Sequence, residues 1–186
     1  MKERLALFDF DGTLYDTVPA NYAAYRDTLE RHGFTLDETY FKEQCYGRHY
    51  KDFLPPIIGP DEELLDIIHR EKLACYPGQL NQVRENTALF DLLHALRPTH
   101  HTALVTTASK SGVMTILELF GRTDEFDLIL TQQDIPRNKP APDGYLMAME
   151  HFGIPAERAI IFEDSESGIA AAKASGAPYL VVREIP

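Results

Sequence analysis

From about Thr87 onward, short apolar runs alternate with segments of helical period, and this alternation leaves few folds open. Thr102-Ala103-Leu104-Val105-Thr106, Phe126 to Leu130, Ala159-Ile160-Ile161-Phe162 and Tyr179 to Val182 read as strands. Leu89, Leu92, Leu93 and Leu96 share one helical face ahead of Pro98, and Val113 to Phe120 is helical with Gly121 as its stop. Pro142 opens a helix that runs to Phe152 before Gly153, and the Ala-rich stretch Ser165 to Ser175 is closed by Gly176. Strands that are apolar almost throughout are covered on both faces, which predicts a parallel sheet with helices on either side.

The apolar run Leu5-Ala6-Leu7-Phe8 supplies a fifth strand, separated from the others by a long excursion. Residues 17 to 84 offer no convincing strand. Pro19 to Arg31 reads as a helix with Gly33 after it, and Glu62 to Tyr76 as a second, carrying Leu64, Leu65, Ile68 and Leu73. Phe41 to Leu54 is ambiguous, and Pro55-Pro56 with Gly59-Pro60 punctuates a turn. The expected fold is therefore α/β: a doubly wound, parallel, five-stranded Rossmann-like core over residues 1–16 and 85–186, with a small helical domain inserted at 17–84.

Composition bounds the partners. With 18 Lys plus Arg against 29 Asp plus Glu, the net charge is −11, which argues against nucleic acid or an anionic membrane. An anionic substrate would need local compensation from a metal and a few placed cations. No apolar stretch approaches a membrane span, and Met1-Lys2-Glu3-Arg4 runs straight into a strand, so no signal peptide is expected. Cys45 and Cys75 have no metal-type spacing and are expected to be free thiols. The expected compartment is the cytoplasm, and the expected state a monomer or weak homodimer.

The chemistry is written at the end of the first strand, in Asp9-Phe10-Asp11-Gly12-Thr13. Two carboxylates two residues apart repel, and their partial burial carries a desolvation cost; a cation relieves both, and Mg²⁺ suits hard oxygen ligands. Asp-Gly is also a common turn dipeptide. A calcium loop would need Gly and Glu where Leu14 and Ala20 stand. The other strand ends decide between turn and site. Thr106 and Thr107 follow the second, Asp134 and Lys139 the third, and Glu163-Asp164-Ser165 the fourth. In a parallel sheet all of these fall on the carboxyl edge, where ligands bind. Several carboxylates, one lysine and one hydroxyl, without a P-loop, suggest a carboxylate that attacks phosphorus. Mg²⁺ and Lys139 would neutralise the meeting of two anions, and Asp11 is placed for proton transfer.

These residues resemble the haloacid-dehalogenase-like hydrolase superfamily, and within it the capped phosphoglycolate-phosphatase and β-phosphoglucomutase branch. Asp9-Phe10-Asp11-Gly12-Thr13-Leu14 with Asp16-Thr17, Leu104-Val105-Thr106, Lys139-Pro140-Ala141-Pro142-Asp143, and Phe162-Glu163-Asp164-Ser165-x-x-Gly168 match its four motifs in order. The resemblance implies Asp9 as nucleophile and Asp11 as general acid/base. It implies Thr106 and Lys139 as phosphoryl-binding groups. For Mg²⁺ it implies Asp9, the Asp11 carbonyl and Asp164, with Glu163 a direct or outer ligand. Thr107, Lys110 and, in the inserted cap, Arg48 are candidates for substrate contact; Lys110 also reads as a surface lysine and Arg48 as a solvated helix-face arginine. Two departures stand out. The family's Pro-Gly pair is missing near Asn86-Thr87-Ala88, and Asn21 occupies the cap position where mutases carry His. The expected activity is a Mg²⁺-dependent phosphatase acting on a small phosphorylated metabolite through an aspartyl-phosphate. The alternatives are a sugar-phosphate mutase and a non-catalytic phospho-switch. A dehalogenase would need neither Asp11 nor the Glu163-Asp164 pair.

Overall fold

Strand formation follows the apolar runs. The described chain, residues 2–183 and Ile185 of a computed structural model, forms β1 (Arg4–Phe8), β2 (Tyr15–Asp16), β3 (Arg84–Glu85), β4 (His100–Val105), β5 (Leu128–Leu130), β6 (Ala159–Glu163) and β7 (Tyr179–Val181). Met1, Glu184 and Pro186, which fall within the expected core, lie outside the described residues. Five strands make one sheet in the order β5-β4-β1-β6-β7, with every pairing parallel. The chain leaves β1 toward β4 and β5, then returns to β6 and β7 on the other side. The sheet is thus doubly wound, and its switch point lies beside the carboxyl end of β1.

Leu5 and Leu7 face a cluster with Val105, Ile161, Tyr145, Ala148 and Ala171, the last three contributed by the helices Asp143–Phe152 and Glu166–Ser175. Ala6 and Phe8, on the opposite face by the strand's period of two, are fully buried as well, and Phe8 stacks on Phe162 at 4.8 Å. Both faces of the sheet are therefore covered.

Several element limits differ from the sequence expectation. β4 begins at His100 rather than Thr102, because parallel pairing with Arg4 and Leu5 carries it back. β5 starts late, at Leu128: the Asp127 carboxylate takes the Thr102 N–H at 3.0 Å in place of a backbone acceptor. In the helix Thr87–Leu96 the buried residues are Leu89, Phe90 and Leu93, while Leu92 is 39% exposed. Phe90 draws the apolar stripe toward itself and leaves Leu92 at its margin.

Two compact units result, Met1–Asp16 with Arg84–Pro186, and Thr17–Val83. Arg84 falls in the first unit, one residue earlier than the boundary read from sequence, because it pairs with Asp16 in the antiparallel ribbon β2–β3. An ion pair of 2.6 Å between their side chains closes that ribbon. Asn86, which stands where the family's Pro-Gly pair is absent, ties this region together. Its amide donates to the Thr13 carbonyl at 3.0 Å, and its side-chain oxygen caps the Thr87–Leu96 helix at Leu89 N.

The second unit is helical. Val18–Arg31 packs on Glu62–Cys75 around Tyr25, Leu29, Phe41, Phe53, Leu65 and Ile68. The ambiguous stretch resolves into a π-helical turn, Phe41–Cys45, and a short helix, Tyr50–Phe53. Pro55-Pro56 does not form the expected turn but starts a helical one, Pro55–Ile58, since proline at the first helical positions loses no needed N–H. Both cysteines are free. Among the described residues, no helix is long and apolar enough to cross a membrane.

Within this unit His69 stacks on Tyr50 at 3.9 Å and bonds the Tyr25 hydroxyl at 3.0 Å. Burial, then the Lys72 and His49 charges, push its imidazole down to about 4. A depressed pKa means stability that is full above the unfolded value near 6.5 and is lost as pH falls toward the folded one. Denaturant titrations at pH 7 and pH 5 should show the His69→Gln variant losing about 1 kcal/mol less than the parent across that interval, the ring's partial exposure reducing the effect. Parallel losses in the two proteins would refute this role for His69.

Candidate active site

The carboxyl end of β1 continues its ladder for one residue, Asp9 N donating to Phe162 O at 3.0 Å. That bond sets Asp9 beside the end of β6, where Glu163 and Asp164 follow. Leu14 N and Tyr15 N then both return to Phe10 O at 3.0 Å, and Gly12 N donates to Tyr15 O at 2.8 Å, so residues 9 to 15 form a closed turn. Gly12 has φ +85°, and a β-carbon there would lie 2.1 Å from Asp164 Oδ2. Glycine at 12 is required twice over, by conformation and by the room it leaves for a carboxylate.

Lys139 reaches into this turn from the loop after β5. The Arg137 guanidinium clamps the loop by binding both Asp143 oxygens, at 2.9 and 3.0 Å. The Lys139 ammonium donates to Asp9 Oδ1 and, at 2.7 Å, to Glu163 Oε1; its side chain is only 7% exposed. Burial alone would push this ammonium's pKa down, but Asp9, Tyr145 and Glu163 together hold it well above the usual lysine range. It remains a cation.

Glu163 is fully buried and every direction around its carboxylate is taken. Oε1 accepts from Lys139 and from the Tyr145 hydroxyl at 3.3 Å, while Oε2 accepts from Ser165 N at 2.8 Å and Ser165 Oγ at 3.1 Å. Asp164 takes the Thr13 hydroxyl at 2.8 Å on Oδ1. Asp9, Glu163 and Asp164 offer oxygens within 4.8 Å of one another, whereas the Asp11 carboxylate stands outside that group. Asp11 is half-buried in the turn and bridges Tyr15 through its backbone.

Three carboxylates around one ammonium leave the pocket short of positive charge. Burial pushes Asp9 well above its ordinary value; Lys139 opposes this, and Glu163 and Asp164 add to it. Burial likewise drives Asp164 up to about 6, against the pull of its Thr13 hydrogen bond. A hard divalent cation with oxygen ligands fits this deficit. Because the donors on Glu163 already saturate it, the oxygens best disposed to such an ion are those of Asp9 and Asp164.

The remaining sequence candidates fall as follows. Thr106 is buried, donates its N–H to Leu130 O at 3.0 Å, and accepts Ala108 N on Oγ1 at 3.0 Å, which leaves its hydroxyl proton available. Thr107, next to it, is exposed. Lys110 begins the helix Lys110–Leu119 with an exposed side chain. Asp134 serves its own turn, accepting Thr131 N and Oγ1 at 2.9 and 2.7 Å. In the second unit, Arg48 is exposed and donates to Gln44 O at 3.0 Å. Asn21 accepts the buried Lys72 ammonium at 2.6 Å.

Sequence reasoning missed Tyr145, an aromatic in a helix that reads as core until its hydroxyl is located. It named Gly168 only as a motif position. A β-carbon on Gly168 would lie 1.6 Å from Glu163 Oε1, so this glycine is the floor of the Glu163 site.

A family model described as haloacid dehalogenase-like hydrolase matches residues 6–182. The chain is 30% identical to fructose-1-phosphate phosphatase YqaB of Escherichia coli K12, over 98% of this chain and 99% of that protein. Crystalline CbbY from Rhodobacter sphaeroides in complex with phosphate superposes with a TM-score of 0.83 at 27% identity, covering 99% of this chain and 87% of that one. β-Phosphoglucomutase from Clostridium difficile gives 0.80 at 25% identity, over 99% and 86%.

Alanine in place of a mid-helix glycine ordinarily stabilises by about 1 kcal/mol. At Gly168 the sign should reverse: displacing the saturated Glu163 carboxylate should cost about 3 kcal/mol, lowering Tm by on the order of 10 °C. A thermal melt of Gly168→Ala at or above the parent Tm would refute the packing argument.

Proposed function

We propose a function from one premise: this chain belongs to the haloacid dehalogenase-like hydrolase family and is a phosphatase-type hydrolase. On that premise we propose that it removes phosphate from a small phosphorylated sugar or related metabolite through an aspartyl-phosphate on Asp9. The observation that carries the reading is Lys139 held between Asp9 and Glu163 at the end of β1, with Asp164 alongside.

In this mechanism an Asp9 carboxylate oxygen attacks phosphorus as the bond to the leaving oxygen breaks, and Asp11 gives that oxygen its proton. Water then attacks the acyl phosphate, Asp11 takes the proton from it, and Asp9 is regenerated as phosphate leaves. Lys139 and the Thr106 hydroxyl hold the phosphoryl oxygens and offset the charge that gathers on them. Mg²⁺, held by Asp9, the Asp11 carbonyl and Asp164, would supply further neutralisation of the phosphoryl group. Glu163 contributes by fixing Lys139, which its saturated hydrogen bonding favours over direct ligation. Thr107, Lys110 and Arg48 are assigned to substrate contact, and residues 17–84 to a cap domain that selects the substrate. The reading places the enzyme in the cytoplasm, as a monomer or weak homodimer.

A sugar-phosphate mutase shares the aspartyl-phosphate, and the likeness to β-phosphoglucomutase keeps it in view. Asn21 speaks against it. Its amide is engaged with Lys72 and with the Thr17 carbonyl, and an amide does not carry a proton between substrate oxygens as histidine can. A mutase would isomerise a bisphosphate-primed sugar phosphate faster than it released phosphate.

Asp9→Asn should lower p-nitrophenyl phosphate turnover at least about 10³-fold, as loss of a nucleophile does; substantial residual activity would remove Asp9 from that role. Chelation with EDTA should abolish turnover and excess Mg²⁺ restore it, measured as released phosphate. Full activity after exhaustive chelation would contradict the metal assignment.

A further inference from the structure

We propose that Tyr145 is a positioning residue for Lys139, acting through the Glu163 oxygen that both of them bind. The proposal rests on the reading of Asp9 and Lys139 given above. Tyr145 lies in the first turn of the helix Asp143–Phe152 and is 1% exposed. Its hydroxyl donates to Glu163 Oε1 at 3.3 Å, the same atom that accepts Lys139 Nζ at 2.7 Å. Its ring lies 5.2 Å from that nitrogen.

A lysine is a point charge on a flexible four-carbon stem with three rotatable donors, so it holds a direction only where its surroundings impose one. Here the acceptor and a neighbouring surface come from one side chain. The phenol occupies one lone pair of Oε1 and leaves the other to the ammonium, while Ser165 holds Oε2. Glu163 therefore cannot turn toward Asp9's side of the pocket without giving up the phenol. The ring face adds a cation–π contact in a desolvated setting. What remains unconstrained for the ammonium is its bond to Asp9 and the space where a phosphoryl oxygen arrives.

The placement is built into the helix start. A β-carbon on Gly144 would lie 2.7 Å from Val105 and 2.8 Å from Ile135. Only glycine lets the first turn press that closely onto the sheet, and that approach sets the depth of Tyr145. A phenylalanine would serve equally well if the residue were there only to fill the cluster with Ala148 and Met149. The hydroxyl is the part that packing does not require.

Tyr145→Phe isolates that hydroxyl while keeping volume and ring. Its expected effect is a fall in kcat of about tenfold, the scale of one hydrogen bond to a charged acceptor. KM for p-nitrophenyl phosphate should stay within about twofold and Tm within a few degrees, because the loss bears on aiming the cation rather than on folding. The inhibition constant of orthovanadate, a mimic of the phosphoryl group in transit, should rise in step with the fall in kcat. Tyr145→Leu, which also removes the ring, should lose about a further tenfold. Wild type and Asp9→Asn are assayed beside them. If wild type shows no Asp9-dependent turnover, the phosphatase reading itself fails. If turnover depends on Asp9 while Tyr145→Phe keeps its kcat within twofold, or loses Tm and not kcat, the positioning role alone is overturned.

Discussion

A single ammonium buried among carboxylates governs the arrangement of the candidate active site. Lys139 bonds Asp9 from the central strand and Glu163 from its neighbour, and both partners are buried. Such a group is tolerated only if every oxygen around it is answered, since one unpaired buried charge would cost several kcal/mol. Much of the local structure answers them. Ser165 and Tyr145 saturate Glu163, Thr13 holds Asp164, and Asn86 holds the backbone of Thr13. The two glycines make way for the carboxylates, Gly12 for Asp164 and Gly168 for Glu163. The site is thus a network whose members come from the ends of β1 and β6, the loop after β5 and three helix starts. Disturbing Tyr145 or Ser165 reaches the lysine within two bonds, through Glu163.

The same network suits this geometry to phosphatase chemistry. In the proposed mechanism the Asp9 carboxylate and an incoming phosphate repel each other, and the Lys139 charge at Asp9 opposes that repulsion. Even so, three carboxylates face one ammonium, and this negative surplus adds to the burial that chiefly pushes Asp9 and Asp164 upward. The surplus is what a divalent cation would relieve. Glu163, with no lone pair to spare, is better understood as the lysine's anchor than as a ligand, and this sharpens a distinction between adjacent carboxylates that spacing alone leaves open.

Much of the fold was legible because its signals are local. Apolar runs of strand length and helix stops at Gly121, Gly153 and Gly176 each act within a few residues. Their order led to a parallel, doubly wound sheet with the polar residues on its carboxyl edge. Legibility failed where the decisive contact was distant. The ribbon β2–β3 is two residues long on each side and exists because Asp16 and Arg84, 68 positions apart, pair. Phe90, fully buried with its ring 5.6 Å from that of Tyr15, takes the place in the stripe and leaves Leu92 at its margin. Pro55-Pro56 reads equally well as a turn or as a helix start, and packing of Leu54 and Ile58 into the second unit's core chose the latter.

The sequence by itself determined the order of the five strands of the parallel sheet and the main helices between them, the edge at which Asp9, Thr106, Lys139, Glu163 and Asp164 gather, and hence the class of chemistry to look for. It could do so because period and punctuation are short-range, and because parallel strands place their carboxyl ends together whatever the details of packing. Only the tertiary structure decided which oxygen each donor takes. That Tyr145 meets Glu163, that Asn86 holds Thr13, and that two glycines are cradles for carboxylates depend on approaches of a few ångströms between segments far apart in the chain. No local pattern encodes such distances. They arise when the layers pack to full density and each buried polar atom is compelled to find its partner.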